Sequence, residues 1–128
     1  MKNKNILYIQ TKEITEFVFK LKTNDNFYIS KNSCKQGKLS EILLQSIDKF
    51  IKESNLILQD LDAIVVFSGP GSYTSLRIGV VTANSLAWGL NIEVIGISGK
   101  VLFEKVVDKL KNTAKKQFDK PVDVHYQQ

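Results

Sequence analysis

The chain has 128 residues and a net charge of +5, with 43% hydrophobic and 24% charged residues. This length suits one domain with its own core, and this composition excludes a disordered or fibrous protein. A single cysteine, Cys34, excludes an internal disulfide, and no apolar run approaches the length of a membrane span. Because the N-terminus carries no signal-peptide pattern, we expect a reduced, cytoplasmic protein that does not enter a membrane.

The first third of the chain predicts three strands joined by short turns. Apolar and alternating patterns indicate strands over 6–11, 14–21 and 27–30. The short link Lys12-Glu13 and the polar run at 24–26 predict tight turns. Three strands joined in this way form an antiparallel meander.

Helices and strands alternate along the rest of the chain. The predicted elements are a helix from Leu39 to about Asn55, a strand over 63–67, a helix over 76–90 ending near Gly89, a strand over 92–97, and a helix over roughly 100–117 with an apolar stripe of Val101, Leu102, Val106 and Leu110. The order βββ-α-β-α-β-α predicts a mixed five-stranded α/β sheet with flanking helices. This is the order of the ribonuclease-H-like fold, used in each half of the actin-like ATPases, and the analogy implies no function.

We expect a single subdomain over 1–118 and a C-terminal tail over 119–128. Within the tail, the segment 121–126 contains alternating apolar residues and the histidine His125. It either adds a short strand or covers the core.

The predicted helix over 76–90 is apolar around nearly its whole circumference, whereas a surface helix usually has one apolar stripe. One face should lie on the sheet. The second face indicates a subunit interface, with burial under the first helix as the alternative. The predicted interface residues are Leu43 and Ile47 of the first helix and Leu76, Val80, Ala83, Asn84, Ala87 and Trp88 of the second.

A glycine-rich turn, Ser68-Gly69-Pro70-Gly71-Ser72, connects the fourth strand to this helix. Backbone N–H groups in such a turn, together with the helix N-terminus, suit an anion. The spacing matches neither G-x-x-x-x-G-K-[ST] nor G-x-G-x-x-G, so neither nucleotide fingerprint is met. The candidate anion or nucleotide contacts are Gly69, Gly71, Ser72, Thr74 and Arg77.

Residues at the end of this turn and at the start of the helix have further interpretations. Ser72, Thr74 or Ser75 is expected to cap the helix. Arg77 falls in the first helical turn, where the helix dipole disfavours a cation. It indicates either an acidic partner or anion, or an exposed arginine whose stem covers apolar surface.

Residues with catalytic or metal-binding chemistry are sparse. Gln10 stands at the strand end where actin-like ATPases place an aspartate, and an uncharged amide is a poor Mg²⁺ ligand. His125 is the single histidine, so it cannot form a two-histidine metal site and is the only imidazole base for a serine nucleophile. We therefore predict no catalytic residue, no metal and no cofactor, with a nucleotide conceivable only at an interface shared with a partner.

The residues at 69–79, Gly-Pro-Gly-Ser-Tyr-Thr-Ser-Leu-Arg-Ile-Gly, closely resemble the Gly-Pro-Gly-Ser-Phe-Thr-Gly-Leu-Arg-Ile-Gly signature of the TsaB family, also called YeaZ. The resemblance continues through 87–90 and 94–98 and includes the first strand, so it covers about residues 5–100. Gln10 replaces the family's usual aspartate, and Ser75 replaces its usual glycine. Family members commonly carry a second subdomain after the strand at 94–97, so we expect a minimal version, with a truncated chain as the alternative.

This resemblance implies a role in the synthesis of tRNA threonylcarbamoyladenosine. It implies a non-catalytic scaffold related to the catalytic subunit TsaD, whose metal-binding histidines this chain lacks. The implied partners are a TsaD-like subunit bound through the helices, a TsaE-like ATPase, and tRNA contacted indirectly through the complex. The alternatives are a degenerate actin-like ATPase, a glycoprotease-like hydrolase, or an interaction module that forms a homodimer through the same helices.

Overall fold

The computed structural model describes residues 4–124. A short 3₁₀ turn at Leu58–Asp60 precedes the fourth strand. The elements are β1 (Ile6–Gln10), β2 (Glu16–Lys22), β3 (Phe27–Ser33), α1 (Leu39–Glu53), β4 (Ala63–Phe67), α2 (Tyr73–Leu90), β5 (Glu93–Ile97) and α3 (Phe103–Leu110). This order confirms the predicted βββ-α-β-α-β-α arrangement.

The five strands form one mixed sheet in the order β3-β2-β1-β4-β5. The first three pair antiparallel, with Ile9 opposite Phe19, and confirm the predicted meander. β4 and β5 are parallel to β1, with Leu7 opposite Ile64. Parallel neighbours need a crossover between them, and α1 and α2 provide it.

Helices cover both faces of the sheet, and each face has its own core. Because side chains alternate along a strand, β1 sends Leu7 and Ile9 toward α1 and α2 but Ile6 and Tyr8 toward α3. β1 and β4 are apolar on both faces since each is covered on both sides. Among residues 4–124, no helix is long and apolar enough to cross a membrane.

The segment that follows α3 passes from one layer to the other along the β5 edge. Near the start of this segment, Thr113 Oγ1 accepts a hydrogen bond from Lys4 Nζ at 2.8 Å. Farther on, Asn84 of α2 exchanges two hydrogen bonds with the backbone of Val122, at 2.8 and 3.0 Å. Between 111 and 124 the chain forms no strand, and Phe118, Val122 and Val124 pack against the core. The described part of the tail thus covers the core, while His125 and Tyr126 lie outside the described residues.

The third helix is shorter than the predicted span of 100–117. Val101 and Leu102 precede α3 and are exposed, so they do not belong to its buried stripe, which consists of Phe103, Val107 and Leu110. Beyond Leu110 the next positions on that stripe hold no large apolar residue to bury. Thr113 donates to the Leu110 carbonyl from its backbone N at 3.1 Å and from its hydroxyl at 2.9 Å, which satisfies one of the carbonyls left without a partner at the helix end.

The ends of α2 also differ slightly from prediction. The helix begins at Tyr73, three residues before the predicted start, with Ser72 as its N-cap. At the other end, Asn91 rather than Gly89 takes the left-handed conformation, with φ of 54°. Asparagine tolerates that conformation well and caps the helix there.

Candidate functional site

The glycine-rich turn is fastened to the end of β5. Ser68 donates hydrogen bonds to the Ile97 carbonyl from its backbone N at 2.8 Å and its hydroxyl at 3.1 Å. Gly99 N donates to the Gly69 carbonyl at 2.8 Å, and the Gly69–Pro70 peptide bond is cis. Gly69 has a φ of 137°, a conformation that side chains rarely adopt. The turn therefore has fixed anchors on the strand beside it.

The same turn lies directly against the link between β1 and β2. Ser72 N donates to the Lys12 carbonyl at 3.0 Å, and a Cβ atom at Gly71 would lie 2.9 Å from that oxygen. The Ser72 hydroxyl accepts from Ser75 N at 3.5 Å, which confirms one of the three predicted caps. These internal bonds use two of the N–H groups that we expected to face an anion, so the proposed anion contact keeps fewer donors.

Thr11 holds the first turn of α2 against the end of β1, a role that the sequence did not suggest. Its side chain is fully buried, and its hydroxyl donates to the Ser75 carbonyl at 2.7 Å. A Cβ atom at Gly79 would collide with this hydroxyl. The sequence did contain one indication of this contact, which is Gly79 inside a helix. A glycine there lowers helix stability by about 1 kcal/mol relative to alanine, so its presence indicates a close packing contact.

Arg77 lies over an aromatic ring one helical turn earlier. Its guanidinium carbon is 5.7 Å from the centre of the Tyr73 ring, and its Nη1 donates to the Tyr73 hydroxyl at 3.0 Å. Both side chains are exposed. The cation that sequence reasoning associated with an acidic partner or an anion thus has an aromatic neighbour within its own helix.

Gln10 is paired with a neutral group at the end of β1. The Tyr8 hydroxyl donates to Gln10 Oε1 at 2.8 Å. Burial raises the pKa of the Tyr8 phenol well above its ordinary value, and the nearby charge of Glu104 raises it further. Within the described residues, no three His, Cys, Asp or Glu side chains are grouped where they could hold a metal ion.

Six of the eight predicted interface residues are not on the surface. Leu43, Ile47, Leu76, Val80, Ala83 and Ala87 are all at most 2% exposed. The prediction that they face a partner is therefore wrong, because α2 uses one apolar face against the sheet and a second against α1. The seventh, Asn84, is bonded to Val122, and the eighth, Trp88, is 72% exposed.

A shallow apolar groove nevertheless runs between α1 and α2 on their outer side. It has a volume of about 460 Å³ and contains Leu44 and Val81, which are 53% and 56% exposed. Trp88 lies on the same helix, two turns after Val81 and about one turn after Ser85. None of the lining residues is charged; they are Ser40, Leu44, Val81, Thr82, Ser85, Leu86, Gly89 and Leu90. We call this surface the α1–α2 groove.

This chain is similar to a known protein family and to several known proteins, and the range matched by the family model includes the glycine-rich turn and α2. A family model described as "TsaD: tRNA N6-adenosine threonylcarbamoyltransferase" matches residues 35–107, more than half of the chain. The TsaB protein of Bacillus subtilis is 42% identical over 55 residues, covering 43% of this chain and 24% of its own length. The TsaB protein of Buchnera aphidicola is 34% identical over 85 residues, covering 66% and 40%.

A threonylcarbamoyltransferase and a solved structure are also similar to this chain. The tRNA N6-adenosine threonylcarbamoyltransferase of Bifidobacterium adolescentis is 39% identical over 59 residues, covering 46% of this chain and 17% of its own. YeaZ from Pseudomonas aeruginosa superposes with a TM-score of 0.69 at 19% identity, over 84% of this chain and 50% of that one. At that identity the superposition establishes the fold.

The fold is that of a half of the actin-like and ribonuclease-H-like proteins, and the range matched by the family model includes the glycine-rich turn and α2. The chain belongs to the threonylcarbamoyltransferase family matched at 35–107 and, within it, is of the TsaB/YeaZ type. It spans half or less of the length of these relatives.

Proposed function

We propose that this chain is a non-catalytic, cytoplasmic subunit that binds and stabilises a TsaD-like catalytic subunit in the synthesis of tRNA threonylcarbamoyladenosine. The observation that carries the proposal is the α1–α2 groove, with its exposed Val81 and Leu44. The relatives named TsaB are described as proteins of that biosynthesis.

The groove has the physical character of a docking surface. Large apolar side chains gain about 1.5–3 kcal/mol each when fully removed from water. A large part of Leu44 and Val81 in the groove, and of Trp88 on α2 outside its lining, is exposed. Its lining has no charged residue, and charge is depleted at the centre of protein interfaces. Exposed tryptophan is also the residue most enriched among those that dominate binding energy.

The nature of the occupant follows from the shared fold. Both TsaB proteins and threonylcarbamoyltransferases match this chain, so a TsaD-like partner would carry its own helix pair of the same kind. Small residues such as Ser85 and Gly89 in the groove would allow a second helix to approach closely. Pairing of helices from the two chains would bury both apolar grooves.

Other components would join through this pair. A TsaE-like ATPase would bind the assembled complex, and tRNA would contact this chain indirectly. Without the partner, two copies could pair through the same groove, since a self-complementary surface suffices for a symmetric dimer. A non-catalytic role is supported by the neutral pair of Gln10 and Tyr8 where an ATPase would place an acid.

Co-purification with the TsaD-like protein of the same organism tests the proposal. Val81→Glu places a charge in the groove and should weaken the association at least tenfold, because an unpaired charge is expensive in an apolar interface. Val101→Glu is the matched control, since Val101 is 52% exposed but lies before α3, outside the groove lining. It should leave the association unchanged.

Two results would contradict the proposal. One is that the unaltered chain does not associate with the TsaD-like protein at all. The other is that Val81→Glu and Val101→Glu behave alike while both remain folded by circular dichroism. Light scattering on the isolated chain separates a homodimer from a monomer, and Val81→Glu should convert any homodimer to monomer.

A further inference from the structure

A second cavity lies on the other layer of the molecule, between the start of β1, the end of β2 and α3. It has a volume of about 210 Å³. Two apolar side chains, Ile6 and Val107, form part of its wall. Its polar lining consists of three lysines and two uncharged residues, namely Lys4, Lys22, Lys111, Thr23 and Asn24. We call it the lysine cavity.

The most deeply placed of these charges is Lys4, which is 6% exposed. Its ammonium group donates to the Thr113 hydroxyl at 2.8 Å and to the Ala114 carbonyl at 3.4 Å. Both partners are uncharged. An ammonium has three donors, and a buried one is costly unless it is hydrogen-bonded and its charge is compensated. The described contacts supply hydrogen bonds to Lys4 but no opposite charge.

The other two lysines add to the same positive field. Lys22 Nζ donates to the carbonyls of Thr23 at 2.8 Å and Asn24 at 3.5 Å, both of which line the cavity. Lys111 Nζ lies 3.7 Å from Asp108 in an exposed pair, which is a weak interaction. No carboxylate belongs to the lining.

Asp62, which directly precedes β4, is outside the cavity lining and is already engaged with other groups. Asp62 lies 3.7 Å from Lys115 Nζ and accepts a hydrogen bond from Asn5 N at 2.7 Å. The lysine cavity therefore combines three cationic side chains, two polar ones and a small apolar wall.

We propose that the lysine cavity binds a phosphate group. Lysine ammonium groups bind phosphate as point charges, and a phosphate offers several acceptor oxygens to ammonium donors. A water molecule's share of liquid volume is about 30 Å³, so the cavity has room for a phosphate and a small attached group. The phosphate belongs either to a free small molecule or to the backbone of an RNA. This inference does not depend on the α1–α2 groove.

The experiment is an NMR titration of the full chain at about 0.15 M ionic strength, with inorganic phosphate in one arm and unmodified tRNA in the other. We expect saturable shifts of the Thr23, Asn24 and Thr113 amides. If the bound phosphate belongs to a free small molecule, the dissociation constant for inorganic phosphate should be on the order of 1 mM. Shifts with tRNA alone would identify the RNA backbone as the source.

The test variant is Lys22→Gln with Lys111→Gln, which leaves Lys4 in place. It should weaken binding about tenfold or more, because charge-assisted hydrogen bonds are lost. The control is Lys105→Gln with Lys109→Gln, an equal change of charge on α3 outside the cavity lining. It should change the affinity by less than about twofold, since exposed charges are screened at this ionic strength.

A second readout is thermal stability. Ligand at a fixed concentration should raise the melting temperature of the unaltered chain and of the control, and should raise that of the test variant by clearly less. The proposal is overturned if neither phosphate nor tRNA shifts the cavity amides. It is equally overturned if the test variant binds as tightly as the control.

Discussion

At the scale of single residues, Gly79 shows how a missing side chain positions α2. Thr11 at the end of β1 reaches under the helix and donates to the Ser75 carbonyl, in space that a Cβ atom at position 79 would occupy. The glycine weakens the helix locally, and the close approach of Thr11 compensates for that loss. Strand, turn and helix are thereby held in one geometry.

We predict that Gly79→Ala destabilises the protein by about 2 kcal/mol. Overpacking a core typically costs about 1–3 kcal/mol, and here the new atom meets the Thr11 hydroxyl. The measurement is urea unfolding compared with Gly89→Ala in the same helix. Gly89 has nothing within 4 Å of an added Cβ, so alanine there should stabilise by up to about 1 kcal/mol. Equal stabilities of the two variants would contradict the packing described for Thr11.

Tyr8 leads to a prediction about alkaline pH. Burial and the charge of Glu104 raise the pKa of its phenol, while Lys20 Nζ lies 5.6 Å from its ring centre. The unfolded chain loses the Tyr8 proton near pH 10, before the folded chain does. The stability that this residue contributes is therefore complete below about pH 10 and is lost as the pH rises toward the folded pKa.

The comparison that isolates this effect is Tyr8→Phe. At pH 8 the variant should be less stable by about 1 kcal/mol, because it lacks the hydrogen bond to Gln10. Above about pH 10 the difference in free energy of unfolding should shrink, since only the unaltered chain carries the titrating phenol. Urea unfolding at a series of pH values measures it. A difference that stays constant across the series would show that Tyr8 titrates alike in both states.

At the scale of elements, α2 explains what sequence patterns leave open. Its apolar residues were correctly recognised, but burial within a chain and burial between chains have the same hydrophobic signature. Only the packing of α1 shows that Val80 and Ala83 are internal and that Val81 is exposed. A glutamate at Val80 or Ala83 would therefore test folding, whereas one at Val81 tests binding.

The third helix illustrates a different limit. Most helix stability comes from packing an apolar face, so a helix ends where its stripe has nothing left to bury. Lysines and other good helix formers continue past Leu110, and propensity alone predicts a helix to about 117. The hydrogen bond that Thr113 accepts from Lys4 joins residues more than 100 positions apart, which local patterns do not reveal.

At the scale of the whole molecule, the architecture was predictable because its determinants are local. Alternating strands, a short link between β1 and β2, and the turn after β4 specify the meander and the crossovers. The link itself is longer than the predicted Lys12-Glu13, because β1 ends at Gln10 and β2 begins at Glu16. The lysine cavity was not predictable in this way. It brings together Lys4, Lys22 and Lys111 from three separate parts of the chain, and in the sequence each is one lysine among many.

The segment after α3 connects both layers and gives the last prediction. Phe118 and Val122 pack on the α1–α2 side, Val124 contacts both cores, and Asn84 fixes Val122 by two hydrogen bonds. We predict that a chain ending at Ala114 is less stable than one ending at Val124 by about 3 kcal/mol. Each partly buried apolar side chain contributes about 1 kcal/mol, in a total that is typically about 5–15 kcal/mol.

Urea unfolding of the two shortened chains measures this difference, and Asn84→Ala in the full chain separates its causes. The substitution removes the two bonds to Val122 and should cost about 1–2 kcal/mol while leaving Phe118 in place. Ser85→Ala, at the next and exposed position of α2, is the control and should change stability by less than about 0.5 kcal/mol. If both shortened chains are equally stable, the segment lies along the β5 edge without stabilising it, and the two cores hold together through the sheet alone.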